Sequence, residues 1–258
     1  RIDFPIPESL KRIFDEHNEC AKKTIVEIAG HSEWQEHIKI LGEAIELIKL
    51  LIQGHGRTEE DLFAIRCLGS RLYNDLATAY ILILSGYYQA STAHMRDSLE
   101  CSLILELFAA NRSEIKHWRE ATRTESVSDF KFGAMRRKLE KKYGVPKELL
   151  GRIDTIHKIL CEYGVHPTYK SIFKMQFKTP QLYYGSFFNE VQCGHFLVEL
   201  ARISSLAVHE LGNALRIENI DISVQKKFVG LVGTMRKWFA KYDTFPSPGD
   251  VGAKGILD

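Results

Sequence analysis

The chain has 258 residues, 45% hydrophobic and 26% charged, which supplies a sizeable core and excludes a disordered composition. With 35 basic residues against 33 acidic ones, the net charge is +2. That lacks the broad basic excess of a constitutive nucleic-acid binder, so any such role must rest on a local patch.

Helical signals dominate. A first helix is predicted from about Pro7–Ser9 to Gly30, with Ile13, Ala21, Ile25 and Ile28 as its apolar stripe. In "SEWQEHIKILGEAIELIKLLIQG", Ser32 and Gln35 have capping-box spacing. Ile38, Leu41, Ile45, Ile48 and Ile52 then recur at helical intervals before Gly54. The next segment, "TEEDLFAIRCLGSRLYNDLATAYILILSG", offers Thr58 as N-cap and Leu62, Ile65, Leu72, Leu76 and Ile83 as its buried side. Gly86 separates it from "YYQASTAHMRDSLECSLILELFAAN". These two long apolar segments are expected to form an antiparallel hairpin at the centre of a bundle.

The middle of the chain is more polar. "SEIKHWREA" reads as a short helix, and "SDFKFGAMRRKLEKKYG" as a basic helix stopped by Gly144. "PKELLGRIDTIHKILCEYG" has Pro146 in its first turn and Gly164 at its end. Gly164 suits a left-handed C′ position, with Val165 folding back on Leu160. Pro167 then prevents the helix from resuming and holds His166 extended. Residues 167–187 break the helical pattern and read as an irregular loop or small β-hairpin insert. Helix returns with "NEVQCGHFLVELARISSLAVHELGNALRI" and closes with "SVQKKFVGLVGTMRKWFAKY", where Val229, Val232, Met235, Trp238 and Phe239 share one side. The fold class is therefore all-α: one multi-helix domain over 1–241 built around the central hairpin. A Pro- and Gly-containing tail over 242–258 is expected to be flexible.

Cys20, Cys67, Cys101, Cys161 and Cys193 lie far apart without CxxC spacing. They read as reduced thiols of a cytoplasmic protein rather than a zinc site. The apolar run "ATAYILILSGYY" falls short of the roughly 18 residues of a membrane span, so no membrane contact is expected. The start at Arg1 rather than Met is consistent with a leader, tag or other segment upstream.

Arg96 and Glu100, four residues apart in "AHMRDSLEC", share a helix face with Ala93, Leu103 and Leu107. A charge pair on an apolar face is either an internal salt bridge that fixes helix register or an active-site Arg held by its Glu. Asn74, Asp75 and Thr78 are placed to face it across the hairpin, with Asp75 competing for the Arg. His166 is the ring expected to meet this helix.

The stretch "DLATAYILILSGYYQASTAHMRDSLECSLILELF", about residues 75–108, resembles the hairpin of HEPN domains and allied bacterial helical families. The resemblance implies an RNA-cleaving or defence and toxin-type protein, a homodimer, and an Arg-x4–6-His motif that stabilises charge and moves protons during attack by an RNA 2′-OH. Arg112–His117, Arg152–His157 and Arg202–His209 have that spacing, and Arg152–His157 is the best placed. The alternative is a non-enzymatic regulatory or protein-interaction bundle, with small-ligand binding inside the bundle as a third reading.

No cofactor is implied. Glu114–His117 and Asp154–His157 have carboxylate-x-x-His spacing, but the first lies in a polar stretch and the second has Asp for Glu. That departs from the di-iron bundle pattern, and no metal is assigned. His31, His37 and His55 are expected to face solvent. Arg136, Arg137, Lys141 and Lys142 line the basic helix, as a plain solvated face or as an RNA backbone contact.

Overall fold

Helix α1 (Glu8–Gly30) is followed by α2 (Ser32–Gln53) with only His31 between them. His31 is extended, with φ −110° and ψ 101°, and that single residue breaks the helical ladder. The computed structural model describes residues 6–53, 59–165, 184–216 and 220–242. The Ser32–Gln35 capping box does not form, because Ser32 is already helical and the Gln35 amide donates to the Ala29 carbonyl instead. The stripe of α1 also differs from expectation. Cys20, Thr24 and Ile28 are buried, while Ile13 and Ile25 are exposed. Leu41 and Ile48 of α2 are buried as predicted, but so is His37.

The hairpin is present. Helices α3 (Glu60–Leu84) and α4 (Tyr88–Ala110) pack closely together around a turn at Gly86. Gly86 has φ +73°, and a Cβ there would lie 2.0 Å from the Phe187 carbonyl oxygen. Glycine is therefore required both by the left-handed backbone and by close approach. The N-cap of α3 is Glu59; Thr58 lies outside the described residues.

Short helices follow: α5 (Ser113–Glu120), α6 (Arg123–Asp129), α7 (Phe132–Tyr143) and α8 (Lys147–Leu160). Thr122 and Glu125 form a reciprocal capping box that starts α6, and the predicted basic helix begins only at Phe132, after the extended Lys131. Gly144 ends α7 in the left-handed region, at φ 72°. After α8 the chain does not stop at Gly164. It widens into a π-helical turn over Cys161–Val165, and Gly164 is not among the described residues with positive φ. The expected left-handed stop is corrected: Gly164 is small because a Cβ would lie 1.3 Å from Thr92 Oγ1 on α4. Residues 166–183, which hold His166 and most of the predicted insert, lie outside the described residues, as do His55 and residues 243–258.

Helix α9 (Glu190–Leu215) shares the centre with the hairpin, packing on α2, α3 and α4. It is buried on several sides by small residues such as Ala201, Ser204, Ser205, Ala207 and Ala214, which let neighbouring backbones approach. Helix α10 (Ile222–Tyr242) covers α2 with Met235 and Trp238 buried, whereas Val229, placed on that side by the sequence pattern, is exposed. Among the described residues, ten α-helices form an all-α bundle with one continuous apolar core, and no strand occurs.

Candidate functional site

Helices α7 and α8 and the π-turn all pack against α4, and there the polar groups of the central hairpin meet those of the later chain. Arg96 Nε donates to Glu100 Oε1 at 2.8 Å within α4. From α8, His157 Nε2 reaches the same oxygen at 3.0 Å. All three groups are partly exposed: 31% for the Arg96 side chain, 26% for Glu100 and 17% for His157. The pair therefore sits at the edge of the core rather than inside it, and Ala93 of the same predicted face is exposed.

Burial raises the Glu100 carboxyl, but hydrogen bonding from His157 and the charge and hydrogen bond of Arg96 outweigh it, leaving the group below its ordinary value. Glu100 is thus a carboxylate that only accepts, so His157 Nε2 carries the proton facing it. In neutral His157 the free lone pair is on Nδ1. Phe132 of α7 stacks on the imidazole at 3.5 Å between centroids and 10° between planes, fixing the ring and covering one face.

Cys161 completes the neighbourhood, with Sγ 3.7 Å from Nδ1 and 3.8 Å from Nε2. Nearly equal distances to both nitrogens place the sulfur near the Cε1 side of the ring or over its face, not along either lone pair. Burial also raises the thiol above its usual range. No thiolate–imidazolium pair forms from this geometry.

Of the sequence-predicted residues, the fold brings Arg96, Glu100 and His157 together. It does not add Arg152, which lines a separate cavity against α9 and α10. Positions five apart on a helix point about 140° apart, so an Arg-x4-His pair on a continuous helix serves two faces. Neither of the other two spacings joins Glu100: Arg112 and His117 are also five apart, while Arg202 and His209, seven apart, share one face of α9 and line that separate cavity together. Arg112 donates to the Ala214 carbonyl at 2.6 Å, and Arg202 pairs with Glu199. Asp154 holds Arg136 at 2.6 Å while His157 goes to Glu100, so that carboxylate-x-x-His spacing is not a joint site.

Asp75 does not compete for Arg96. It accepts from or shares a proton with His94 Nδ1 at 2.8 Å, beside an Arg71–Asp97 pair whose Nη2–Oδ1 distance is 2.8 Å. Burial and the adjacent Asp97 push Asp75 up to about 6. This second polar cluster across the hairpin was readable only in part: Arg71 and Asp75 are an i, i+4 pair inside an apolar helix, but their partners come from α4. Glu114, expected in a polar stretch, is also buried. It accepts from Tyr143 at 2.7 Å, Lys138 at 3.0 Å and Lys142 at 3.3 Å.

The basic helix is partly neutralised. Arg136 is held by Asp154 and Glu140, and Lys142 by Glu114. Arg137 and Lys141 are exposed. No helix among the described residues is long and apolar enough to cross a membrane. In comparisons with known proteins, no family model matches the chain, and neither a curated protein nor a solved structure matches it.

Proposed function

We propose that this protein cleaves RNA without a metal ion, using Arg96 and His157 around Glu100. The observation that carries the reading is the convergence of an Arg from α4 and a His from α8 on one oxygen of a partly exposed carboxylate. Arg96 uses Nε for Glu100, leaving its terminal nitrogens to face the charge that builds on a phosphoryl group in the transition state. Glu100 and Phe132 hold the His157 ring, so that Nδ1 can take the proton of an attacking 2′-OH. His166, the other ring nominated by the sequence as a site candidate, lies outside the described residues, and the leaving 5′-oxygen takes its proton from water. Arg137 and Lys141, five and nine positions after Phe132 on α7, point away from it and are exposed, so any contact they make with RNA lies on the backbone beyond the reacting site. The HEPN resemblance of the hairpin, with its implied RNA cleavage and homodimer, supports the class of reaction, and the scattered thiols support a cytoplasmic setting, whereas the Arg here comes from α4 and not from an Arg-x4–6-His motif.

The test is incubation of the purified full chain with single-stranded RNA in excess chelator. Cleavage should leave 2′,3′-cyclic phosphate ends and fall by about 10²–10⁴-fold in His157→Ala and strongly in Arg96→Ala. Arg152→Ala should cleave at the wild-type rate. A wild-type protein inert on RNA, or one disabled by Arg152→Ala but not by Arg96→Ala, removes this mechanism. Replacing both Arg137 and Lys141 by Ala should lower the salt-dependence slope of RNA binding by about 0.7 per lost phosphate contact.

A second reading, a protein-interaction bundle, is favoured by one observation. Ile6, Leu10, Ile13 and Phe14 near the start of α1 are each more than half exposed, an apolar strip of the kind that suits a partner helix. Light scattering discriminates: a strict monomer with no partner counts against it.

A further inference from the structure

The side of α8 that turns away from Glu100 closes a cavity of about 350 Å³ against α9 and α10. Its wall is apolar, formed by Ile153 and Ile156 of α8, Ile203 and Leu206 of α9, and Met235 and Phe239 of α10. The polar groups around it are already engaged. Arg202 pairs with Glu199, Arg152 has a partner of its own, and His209 holds Glu210 at 2.9 Å. The Ser205 hydroxyl donates to the Ala201 carbonyl at 2.8 Å. Arg236 is exposed, where water answers its charge. What the cavity offers a ligand is therefore carbon surface, with the charges of its lining met elsewhere.

We infer that this cavity is a binding site for an uncharged, apolar ring compound of about ten carbon atoms. Its volume and lining are those of small-molecule sites. Water gains little there, because a buried water needs about two to four polar partners and the polar groups of this lining are already bonded. Water held so poorly is favourably displaced by an apolar group. An ion fares worse than water, since it must shed its hydration against a wall with no charge left to meet it. Size narrows the class further. A dry cavity of about 150 Å³ lined by Leu, Ile and Phe takes benzene, so one roughly twice that size takes two fused rings. A rigid ring system also gives up less freedom on binding than an alkyl chain, and it can pack on the ring of Phe239.

The experiment titrates the purified full chain with naphthalene, naphthoate and naphthylmethylammonium, followed by calorimetry and by amide NMR spectra. Naphthalene should bind, and both ions should bind at least about tenfold more weakly. In the wild-type protein naphthalene should shift the amide signals of residues 203–206 and 235–239, which border the cavity. Val232→Trp fills the cavity from α10 and Leu206→Trp fills it from α9, and each should abolish binding while the chain still unfolds cooperatively. Val229 is 70% exposed on the outer side of α10, so Val229→Trp should bind naphthalene as the wild type does, and so should Arg236→Ala. Any of four results overturns the inference: no binding of naphthalene, naphthoate binding as tightly as naphthalene, shifts confined to other helices, or binding that survives in a folded Trp-filled variant.

Discussion

Glu114 illustrates how a single buried charge is kept in this molecule. Its side chain is 5% exposed, and an isolated carboxylate at that depth would favour its neutral form. Tyr143, Lys138 and Lys142 outweigh burial and hold it down at about 2, from an ordinary 4.5. Because the folded value lies below the unfolded one, the stabilisation is present above pH 4.5 and is lost as the pH falls toward 2. Glu114→Gln should therefore cost about 2–3 kcal/mol at pH 7 and flatten the acid limb of the urea-midpoint profile. An unchanged acid limb would show that the three partners do not hold the charge. Glu100 works in the same direction, since it too lies below its ordinary value, but its greater exposure makes its share smaller.

At the scale of elements, the junction of α4 with the π-turn decides where the site can form. The π-turn brings Gly164 against Thr92, leaving no room for a Cβ. Gly164→Ala should push the turn off α4, costing about 1–3 kcal/mol and lowering the thermal midpoint. It should also loosen the Cys161–His157 end of α8, so cleavage should fall with stability. A Gly164→Ala protein as stable as wild type would mean the contact is not tight. The stop signals at Gly86 and Gly144 were legible because each requires a left-handed backbone, a local property. The role of Gly164 was not legible, since the clash comes from a residue 72 positions away. The same distinction separates the two halves of the site. Arg96 and Glu100 are one helical turn apart and could be paired from spacing alone. That His157 joins them, and that Arg152 leaves, depended on which face of α8 meets α4.

At the scale of the whole molecule, groups shifted in opposite directions shape the response to pH. His37 is buried, accepts from Trp238 Nε1 at 3.1 Å, and is pushed down to about 4, mainly by burial. A folded value below the unfolded 6.5 means its contribution is present above pH 6.5 and lost as the pH falls toward 4. Burial acts the other way on carboxyls: Asp75 rises to about 6 and Glu106, beside Glu210, to about 7. Their folded values exceed the unfolded ones, so they favour the fold at low pH and oppose it as the pH rises through 6 and 7. Between pH 7 and 5 the two carboxyls gain more than His37 loses, so stability should rise as the pH falls across that interval. His37→Gln should steepen the rise, adding the equivalent of about 1–2 kcal/mol to the gain in urea midpoint from pH 7 to pH 5. A variant with the wild-type slope would contradict the share assigned to His37.

The sequence by itself determined the helices, their approximate ends and the central hairpin, because apolar periodicity, a capping residue and a left-handed glycine act over a few neighbouring residues. It also placed Arg96 and Glu100 on one face within reach of each other, with Asp75 left as a competing partner. Tertiary structure decided the rest: that α9 shares the centre with the hairpin, that His37 is buried on Trp238, and that α6 separates from α7 on the way back to α4. It also decided that α8 places His157 on Glu100 and Arg152 on an apolar cavity. Periodicity states which positions share a face, but the partner of that face is chosen by packing between segments distant in the chain.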